Sequence, residues 1–545
     1  MMILKIFDKV RQIWALNRLG MGLHQPSIRY WETNSMNGLI QIRQGREIWR
    51  RIFWTILWVA GTMATLFSVY ETCQEFFSYP VITSTEVENS HAVDFPSLGI
   101  CNLNQVDCSN LALDIEAPEH NTIMVDKLCR LFLLGQCQYS YVMNFAPGQS
   151  ALPQPCKAIE EDFLQSNRSL TSTKHQFTDL FLTLPLDVRL RIGHGNLDKH
   201  ILSCRINNEE CDQSYFTVTN QFQYGNCFMF NWNGIVRVDQ PGPDFGLTID
   251  LFTESTSYLL GGLSPSVGYR VAIKKPFYPI LPLEEGFFVR PGTELSVGLS
   301  RGRITRKESP YPSNCRSKWL EDAGTMERDM FNEQDIEFLN RTQVQYSQTA
   351  CRRSCLFKMS FKTCRCFFSA WNDRGDLVME PGTSFCSLGN QTQMECIANS
   401  LKNLNVDELC ANCRLSCSNL DYAEDFSSAN FPSDQFWFPY VQNFLPRWMD
   451  NYNIKIDGAQ SSQEKQWIRD EFQSLVQKEV LRLHVYFKNF QMISINEEAK
   501  VTERQFINNL GGSLSLWLGI SFVTLLELVE WWADLLLASF RKKDK

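Results

Sequence analysis

Three acidic residues lie within or beside the last apolar stretch of this 545-residue chain. Glu527, Glu530 and Asp534 are three and then four residues apart, so a helix would carry all of them on one face. A carboxylate at membrane depth is costly and usually faces water or a partner group. The spacing therefore predicts a helix that lines an aqueous pore and attracts cations. A solvated helix end is the alternative, and it fits Asp534 best.

A short segment just before these acids contains Gly519, Ile520 and Ser521. Glycine allows a helix to break and exposes its carbonyl group, and serine adds a hydroxyl oxygen. Protein oxygens at a narrow point can replace the water around a sodium ion. A broken helix is tolerated at membrane depth only where it lines a cavity. We therefore predict a selectivity filter at these three residues, with close helix packing through small residues as the alternative.

Cysteine is the most informative residue type in the composition. All 19 cysteines lie outside the first 72 and the last 128 residues, and most fall between residues 101 and 417. Such a density favours disulfides in an oxidising compartment. The pairs Cys364-x-Cys366 and Cys410-x-x-Cys413 could also be zinc ligands, but an extracellular location favours disulfides. The sequence therefore predicts an extracellular, disulfide-bonded region and no metal site.

Three Asn-x-Ser/Thr triplets fall in the same region, at Asn167, Asn340 and Asn390. This triplet is the acceptor for N-linked glycans in secreted segments. Their position among the cysteines predicts glycosylation on the extracellular side.

Two apolar spans flank this region. Ile52–Val69 contains 18 residues without a charge, about the length that a bilayer core requires. Nine Arg or Lys and three acids occur in the first 51 residues, which predicts a cytoplasmic N-terminus. The second span runs from about Leu510 to Leu537, and basic residues follow it, so the C-terminus is also predicted to be cytoplasmic. A buried core helix is the alternative for the first span.

The remaining composition excludes several classes of function. The net charge is −8, which disfavours nucleic acid as a partner. No Ser/His/Asp grouping and no phosphate-binding glycine loop occur, so neither an enzyme nor a bound cofactor is expected. Alternating residues at Leu481–Phe487 predict a strand, and the polar segment Glu327–Asn340 predicts a helix.

Several segments resemble the degenerin/epithelial sodium channel family, and within it the insect pickpocket-type channels. Phe95–Asn102 (FPSLGICN) is similar to the family's FPxxxxCN signature, and Tyr224–Asn231 (YGNCFMFN) fits its YGxCxxFN pattern. Asn508–Ser521 (NNLGGSLSLWLGIS) resembles its pre-pore and selectivity-filter sequence. The resemblance implies a trimeric, sodium-selective and amiloride-sensitive channel, formed by one kind of subunit or by related subunits, in the lipid of the plasma membrane. Na⁺ is the permeant ion, and an extracellular ligand is one of several stimuli that the sequence leaves open.

The resemblance also implies the fold class, a membrane protein of the α+β class whose two membrane helices flank a disulfide-rich extracellular domain. The expected order is a cytoplasmic segment at 1–51, a span at 52–70, the extracellular domain at 71–509, a span at 510–537 and a cytoplasmic tail at 538–545. Within the extracellular domain we expect a finger at about 105–203, a thumb at about 310–425 and a central palm sheet.

Seven disulfides are implied by the same resemblance. They are Cys101 with Cys227, Cys204 with Cys211, Cys315 with Cys417, Cys351 with Cys413, Cys355 with Cys410, Cys364 with Cys396, and Cys366 with Cys386. The sequence leaves open the pairing of Cys108, Cys129, Cys137 and Cys156, and the state of Cys73.

Four residues carry roles that the resemblance implies. Ser515 occupies the position that contacts the blocker amiloride, and Asn508 aligns with the position at which bulky substitutions hold the gate open. Asn37 and Gly38 resemble the family's His-Gly gating motif with asparagine in place of histidine. Pro310–Pro312 lies where relatives place a coupling tryptophan, with Tyr311 near that position but out of register.

Other classes of protein remain as alternatives. A non-conducting auxiliary or receptor-like subunit would share the same segments. Two departures from the family pattern keep this alternative open: asparagine in place of histidine at Asn37, and serine at Ser515, where many relatives have glycine. An ATP-gated channel also has two spans, but the FPSLGICN and GGSLSLWLGIS segments argue against it.

Overall fold

A computed structural model describes residues 30, 38–44, 46–118, 120–137, 152–164, 169–260, 262–319, 344–369, 384–403, 406–444, 470 and 473–543. The chain divides into two compact units. The small unit consists of Met1–Thr83, Pro310–Pro312 and Glu497–Lys545, and the large unit consists of Ser84–Ser309 and Ser313–Asn496.

The described residues include these α-helices: α1 Leu39–Gln44, α2 Ile48–Phe77, α3 Cys108–Ile115, α4 Thr122–Leu134, α5 Lys157–Leu164, α6 Leu170–Leu182, α7 Leu186–Ile192, α8 Leu197–His200, α9 Pro282–Glu285, α10 Gln348–Cys364, α11 Gln391–Asn403, α12 Val406–Leu409, α13 Trp437–Phe444, α14 Glu503–Leu518 and α15 Phe522–Lys543.

The same residues contain fourteen strands: β1 Val81–Asn89, β2 Val93–Asp94, β3 Ser97–Asn102, β4 Ile201–Ile206, β5 Glu209–Glu210, β6 Phe216–Gln221, β7 Gly225–Phe230, β8 Arg237–Val238, β9 Leu247–Phe252, β10 Tyr269–Lys274, β11 Phe287–Val289, β12 Thr293–Thr305, β13 Ser418–Asn430 and β14 Val480–Ala499.

Two sheets form the centre of the large unit. The larger has the order β13-β12-β14-β9-β4-β5, with β1 also paired to β14, and the smaller has the order β11-β10-β3-β7-β6. The strands β12 and β14 run parallel, whereas β3 pairs with β7 and β10 in antiparallel fashion. Apolar side chains from both sheets share one core, which buries Leu483 and Val485 of β14 and Ile100 and Phe228 of the smaller sheet.

The sequence pattern explains which strands carry this core. Alternate residues of β14 are buried, including Leu481, Leu483, Val485 and Phe487, so the strand predicted there is confirmed. Every residue of β3 and of β7 is buried, as expected for central strands that are covered on both faces. The motifs FPSLGICN and YGNCFMFN therefore form the centre of the smaller sheet. The helix predicted at Glu327–Asn340 lies outside the described residues.

Helices α3 to α7 pack around a second apolar core. The side chain of Asp107 accepts hydrogen bonds from the backbone of Ser109 and Asn110 and so caps α3, and Asn121 caps α4 in the same way. Two disulfides hold these helices, Cys108–Cys137 and Cys129–Cys156. These are the cysteines whose pairing the sequence leaves open.

Helices α10 and α11 belong to a region rich in disulfides. Five bridges connect its segments: Cys315–Cys417, Cys351–Cys413, Cys355–Cys410, Cys364–Cys396 and Cys366–Cys386. Two more lie in the sheets, Cys101–Cys227 and Cys204–Cys211. These seven bridges join the same pairs that the resemblance implies. Cys73 is half-buried and forms no disulfide in the described part of the chain.

Candidate pore segment

The first apolar stretch forms α2, a helix of 30 residues that begins before and ends after the predicted span. In its most apolar window only 6% of the residues are buried within the chain, and side chains such as Ile56 and Met63 are largely exposed. A soluble protein would bury such a helix. By length and composition, α2 is the one described helix that could cross a membrane on its own.

The second apolar stretch is divided into α14 and α15. The two helices are bent by 79° at the break between them, and they reach the length and composition of a second span only when taken together. Helix α14 begins at a capping box, in which the Thr502 hydroxyl accepts from the Gln505 backbone and the Gln505 side chain accepts from the Thr502 backbone. The helix therefore starts seven residues before Leu510, the predicted start of the span.

The break coincides with the predicted filter. Gly519 ends α14 in the left-handed conformation, with φ of 66°. Its backbone N–H donates to the Ser515 carbonyl at 3.0 Å, and the N–H of Ile520 donates to the Leu514 carbonyl at 3.2 Å. A glycine in this conformation is a common helix terminator because it has no Cβ to clash with the backbone. The helix break therefore falls at Gly519, a residue type that adopts the left-handed conformation without a steric clash.

Ser521 begins the next helix. Its hydroxyl accepts from the Thr524 backbone N–H at 3.4 Å, and its own N–H donates to the Thr524 hydroxyl at 3.1 Å. Thr524 is buried. The Ser521 side chain therefore acts as an N-cap of α15, a role that the sequence reasoning missed although serine is a preferred capping residue.

The three acids follow on α15, as expected. Glu527, Glu530 and Asp534 are all partly exposed and lie among exposed apolar residues such as Val529 and Trp532. Asn508 and Ser515 lie on α14 and are exposed. A β-carbon at Gly511 or Gly512 would meet no atom within 4 Å.

Helices α2 and α14 contact each other within the small unit. The hydroxyl oxygens of Ser68 and Ser513 are 2.9 Å apart. A β-carbon at Gly61 would lie 3.2 Å from the Trp517 carbonyl oxygen. Phe76 stacks on Phe506 with ring centroids 4.2 Å apart. Small and hydroxyl side chains therefore allow the two backbones to approach closely near the break.

Two further predicted positions lie in the small unit. Gly38 is buried with φ of 86°, and its carbonyl accepts from the Ile42 N–H at 3.2 Å at the start of α1. Asn37 lies outside the described residues. The ring of Tyr311 lies 5.5 Å from that of Tyr79, so the tyrosine considered near the coupling position contacts the segment that follows α2.

Of the three glycosylation candidates, only Asn390 is described, because Asn167 and Asn340 lie outside the described residues. Asn390 is exposed, and its side-chain oxygen accepts from the N–H groups of Thr392 and Gln393 at the start of α11. The carboxylate of Asp179, on α6, accepts from the N–H of Leu388 at 2.7 Å and of Gly389 at 3.2 Å. No local pattern indicates this contact, because the partners are about 210 residues apart in the sequence.

A disulfide-rich mixed α and β domain, joined to one apolar helix and to a broken apolar helix with acids, is the arrangement of a membrane channel subunit. The chain belongs to the degenerin/epithelial sodium channel family, because the pattern of the family described as amiloride-sensitive sodium channel matches residues 30–531.

Relatives extend over most of the chain. It is 22% identical to the FMRFamide-activated amiloride-sensitive sodium channel of Cornu aspersum, over 92% of this chain and 81% of that protein. It is 24% identical to the epithelial sodium channel subunit alpha of Mus musculus, over 89% of this chain and 71% of that protein. The subunit beta of Xenopus laevis is 24% identical over 65% of this chain, which spans 50% of that protein.

Proposed function

We propose that this chain is one subunit of a trimeric, sodium-selective and amiloride-sensitive channel of the plasma membrane. Helix α2 and the α14–α15 pair are its two spans, and both termini are cytoplasmic. The observation that carries the proposal is the 79° break at Gly519–Ser521, followed on α15 by three acids. Backbone freed by a break is tolerated at membrane depth only beside water or protein.

The break supplies the oxygens that a sodium ion requires. The Ser521 hydroxyl is engaged with Thr524. Main-chain carbonyls at Gly519 and Ile520 are therefore the better candidates for ion contact, and Ser521 holds them in place as the cap of α15. Three subunits would provide a ring of such carbonyls, at which water ligands are exchanged for protein oxygens.

The acids on α15 act on the cytoplasmic side of this ring. Three copies each of Glu527, Glu530 and Asp534 would raise the local cation concentration and exclude anions. The exposed faces of Gly511 and Gly512 leave room for a neighbouring subunit to approach α14. Ser515 is exposed on the same helix, where a blocker could reach it, and Asn508 and Gly38 are the proposed gating positions.

Current recording tests the proposal. The chain is expressed alone and with related subunits, and the permeability ratio of Na⁺ to K⁺ and block by amiloride are measured. Gly519→Ala and Ser521→Ala should lower the Na⁺/K⁺ ratio, Glu527→Gln should lower the conductance, and Ser515→Phe should weaken block. If none of these substitutions changes the current of any assembly that contains the chain, it is an auxiliary subunit and the pore assignment is wrong.

The stimulus is tested on a conducting assembly. An extracellular ligand is one candidate, and amidated peptides are the first class to try because the Cornu aspersum relative is named for activation by FMRFamide. Stretch and osmolarity are the other arms of the same experiment.

A further inference from the structure

Two histidines and two carboxylates meet in the interior of the large unit, outside the pore segment. They are Asp107, His194, His200 and Glu254, and one nitrogen or oxygen of each lies within 4.8 Å of the others. The two histidines and Asp107 are at most 1% exposed. The four residues come from the cap of α3, the loop after α7, the end of α8 and the residue that follows Thr253 after β9.

The separations are close to those of a tetrahedral metal site. With Zn–N bonds of about 2.0–2.1 Å, neighbouring ligand atoms are roughly 3.4 Å apart. Here His194 Nδ1 lies 3.3 Å from His200 Nε2 and 3.8 Å from Asp107 Oδ2, and His200 Nε2 lies 4.0 Å from Glu254 Oε2. All four ligand atoms lie within 4.8 Å of one another, so closing such a site shortens individual separations by up to about 1.4 Å.

The surroundings of His200 suit a metal ligand. Its Nδ1 lies 3.1 Å from the Phe252 carbonyl oxygen, to which it donates, and this leaves Nε2 unprotonated toward the cluster. The neutral ring is the form that binds metal.

Glu254 has an unused oxygen in the cluster. Its Oε1 accepts from Lys199 at 2.7 Å, whereas Oε2 is buried and has no hydrogen-bond partner within the described ranges. A buried acceptor without a partner is costly. An ion at the centre of the cluster would satisfy it.

We propose that these four residues form a binding site for a divalent transition-metal ion, with Zn²⁺ as the best match for the ligand set. Histidine and carboxylate ligands in a small tetrahedral space favour zinc over calcium or magnesium, which take six or more oxygen ligands. The site would link the cap of α3 to the end of β9.

Two features of the cluster lower its expected affinity for a metal ion. The Lys199 ammonium lies 3.1 Å from Asp107 Oδ2 and must move away, which its 32% exposed side chain allows. The Asn104 side-chain nitrogen lies 3.0 Å from His194 Nε2, so metal binding at Nδ1 moves the His194 proton to Nε2 and requires the Asn104 amide to turn. Both costs predict a reversibly bound ion and not a permanent structural one.

The sequence did not indicate this site, because the four ligands are spread over residues 107 to 254 without a short motif. The feature that could have signalled it is the close spacing of His194 and His200, since the chain contains only 7 histidines.

Cobalt titration of the purified full-length chain tests the proposal. Cys73→Ser serves as the background, because it removes the thiol that forms no disulfide in the described part of the chain. We expect visible absorption of tetrahedral Co²⁺ that Zn²⁺ abolishes. His200→Gln should eliminate it, and the isosteric Glu254→Gln should weaken binding at least about tenfold, since it removes one anionic ligand.

The variant Lys199→Met distinguishes a metal-binding site from a buried network of hydrogen bonds and ion pairs that binds no metal. Removal of the competing positive charge should strengthen binding by about tenfold or more. His91→Gln, at an exposed histidine, is the matched control and should change nothing. Absence of tetrahedral absorption in both the background protein and Lys199→Met, or absorption that persists in folded His200→Gln and Glu254→Gln, would overturn the proposal. The binding readout is independent of whether the chain conducts ions.

Discussion

Gly61 of α2 faces the carbonyl oxygen of Trp517 on α14, two residues before the break, so closely that a β-carbon at position 61 would lie 3.2 Å from that oxygen. This separation is tighter than most real contacts of a β-carbon. The last turn of α14, which precedes the proposed filter, therefore packs closely against α2 at a residue that has no side chain.

Gly61→Ala should consequently disturb ion selectivity without touching the filter itself. The added methyl group pushes the end of α14 by a few tenths of an ångström, and the Na⁺/K⁺ permeability ratio of a conducting assembly should fall. Gly61→Val should reduce it further. Val59→Ala, at an exposed position of the same helix, is the control. An unchanged ratio in both Gly61 variants would show that this contact does not set the filter geometry.

Asp179→Asn should loosen the segment that precedes α11. The Asp179 carboxylate accepts three hydrogen bonds, from the Ser387 hydroxyl at 2.7 Å and from the N–H groups of Leu388 and Gly389. Hydrogen bonds to a charged group contribute roughly 1.5–3 kcal/mol each, and an amide can replace only part of this interaction. Hydrogen exchange at residues 387–389 should become faster.

Asp187→Asn is the matched control for that experiment. Asp187 pairs with Arg191 at 3.0 Å on the neighbouring helix, but its side chain is 69% exposed, so its loss should cost less than about 1 kcal/mol. Equal exchange rates at 387–389 in the two variants would contradict the proposed role of Asp179.

Much of this architecture could be predicted from local patterns. The alternation in β14, the apolar run of α2 and the glycine at the break are each determined by neighbouring residues, so the sequence indicates them directly. The family resemblance supplied the seven disulfide pairs, which join cysteines as far as 126 residues apart.

Contacts between distant residues could not be predicted. Asp179 meets Leu388, and His200 approaches Glu254, only because the helices and sheets have folded. The capping role of Ser521 was missed for a different reason. A serine beside a predicted filter suggested an ion ligand, whereas its hydroxyl is within reach of Thr524 and starts the next helix.

Asn390 has two proposed roles, as a glycan acceptor and as the cap of α11, and two variants can separate them. Its side-chain oxygen caps α11, and a glycan would be attached to the side-chain nitrogen, so both are compatible. Thr392→Ala removes the acceptor triplet and leaves the cap, since only the backbone of Thr392 contacts Asn390. Asn390→Gln removes both. If a glycan is attached at Asn390, both variants should show the same decrease in mass on gel electrophoresis.

Only Asn390→Gln should also lower stability, by about 1 kcal/mol for the lost cap. The melting temperature of the purified chain, treated with a glycosidase in every sample, measures this difference. Equal melting temperatures for Asn390→Gln and Thr392→Ala would show that the cap contributes nothing.

Arg482 of β14 forms an ion pair with Asp250 of β9 at the centre of the larger sheet. Its guanidinium donates to both oxygens of Asp250, at 2.6 and 2.9 Å, and lies 4.2 Å from the ring centroid of Phe431. The Asp250 side chain is only 2% exposed and also accepts from the Tyr440 hydroxyl at 3.1 Å. Arg482→Met leaves this buried carboxylate without its cation, which should cost about 3–5 kcal/mol.

Arg482→Lys should recover part of the loss, because an ammonium restores the charge but not the two parallel hydrogen bonds. Arg130→Met is the comparison: Arg130 pairs with Asp126 at 2.8 Å at the surface, with both side chains more than 40% exposed, so the change should cost less than about 1 kcal/mol. Melting temperature and the amount of chain at the cell surface should fall in the order Arg130→Met, Arg482→Lys, Arg482→Met. If Arg482→Met and Arg130→Met are equally stable, water must reach Asp250 in solution, and the pair would not stabilise the junction of β9 and β14.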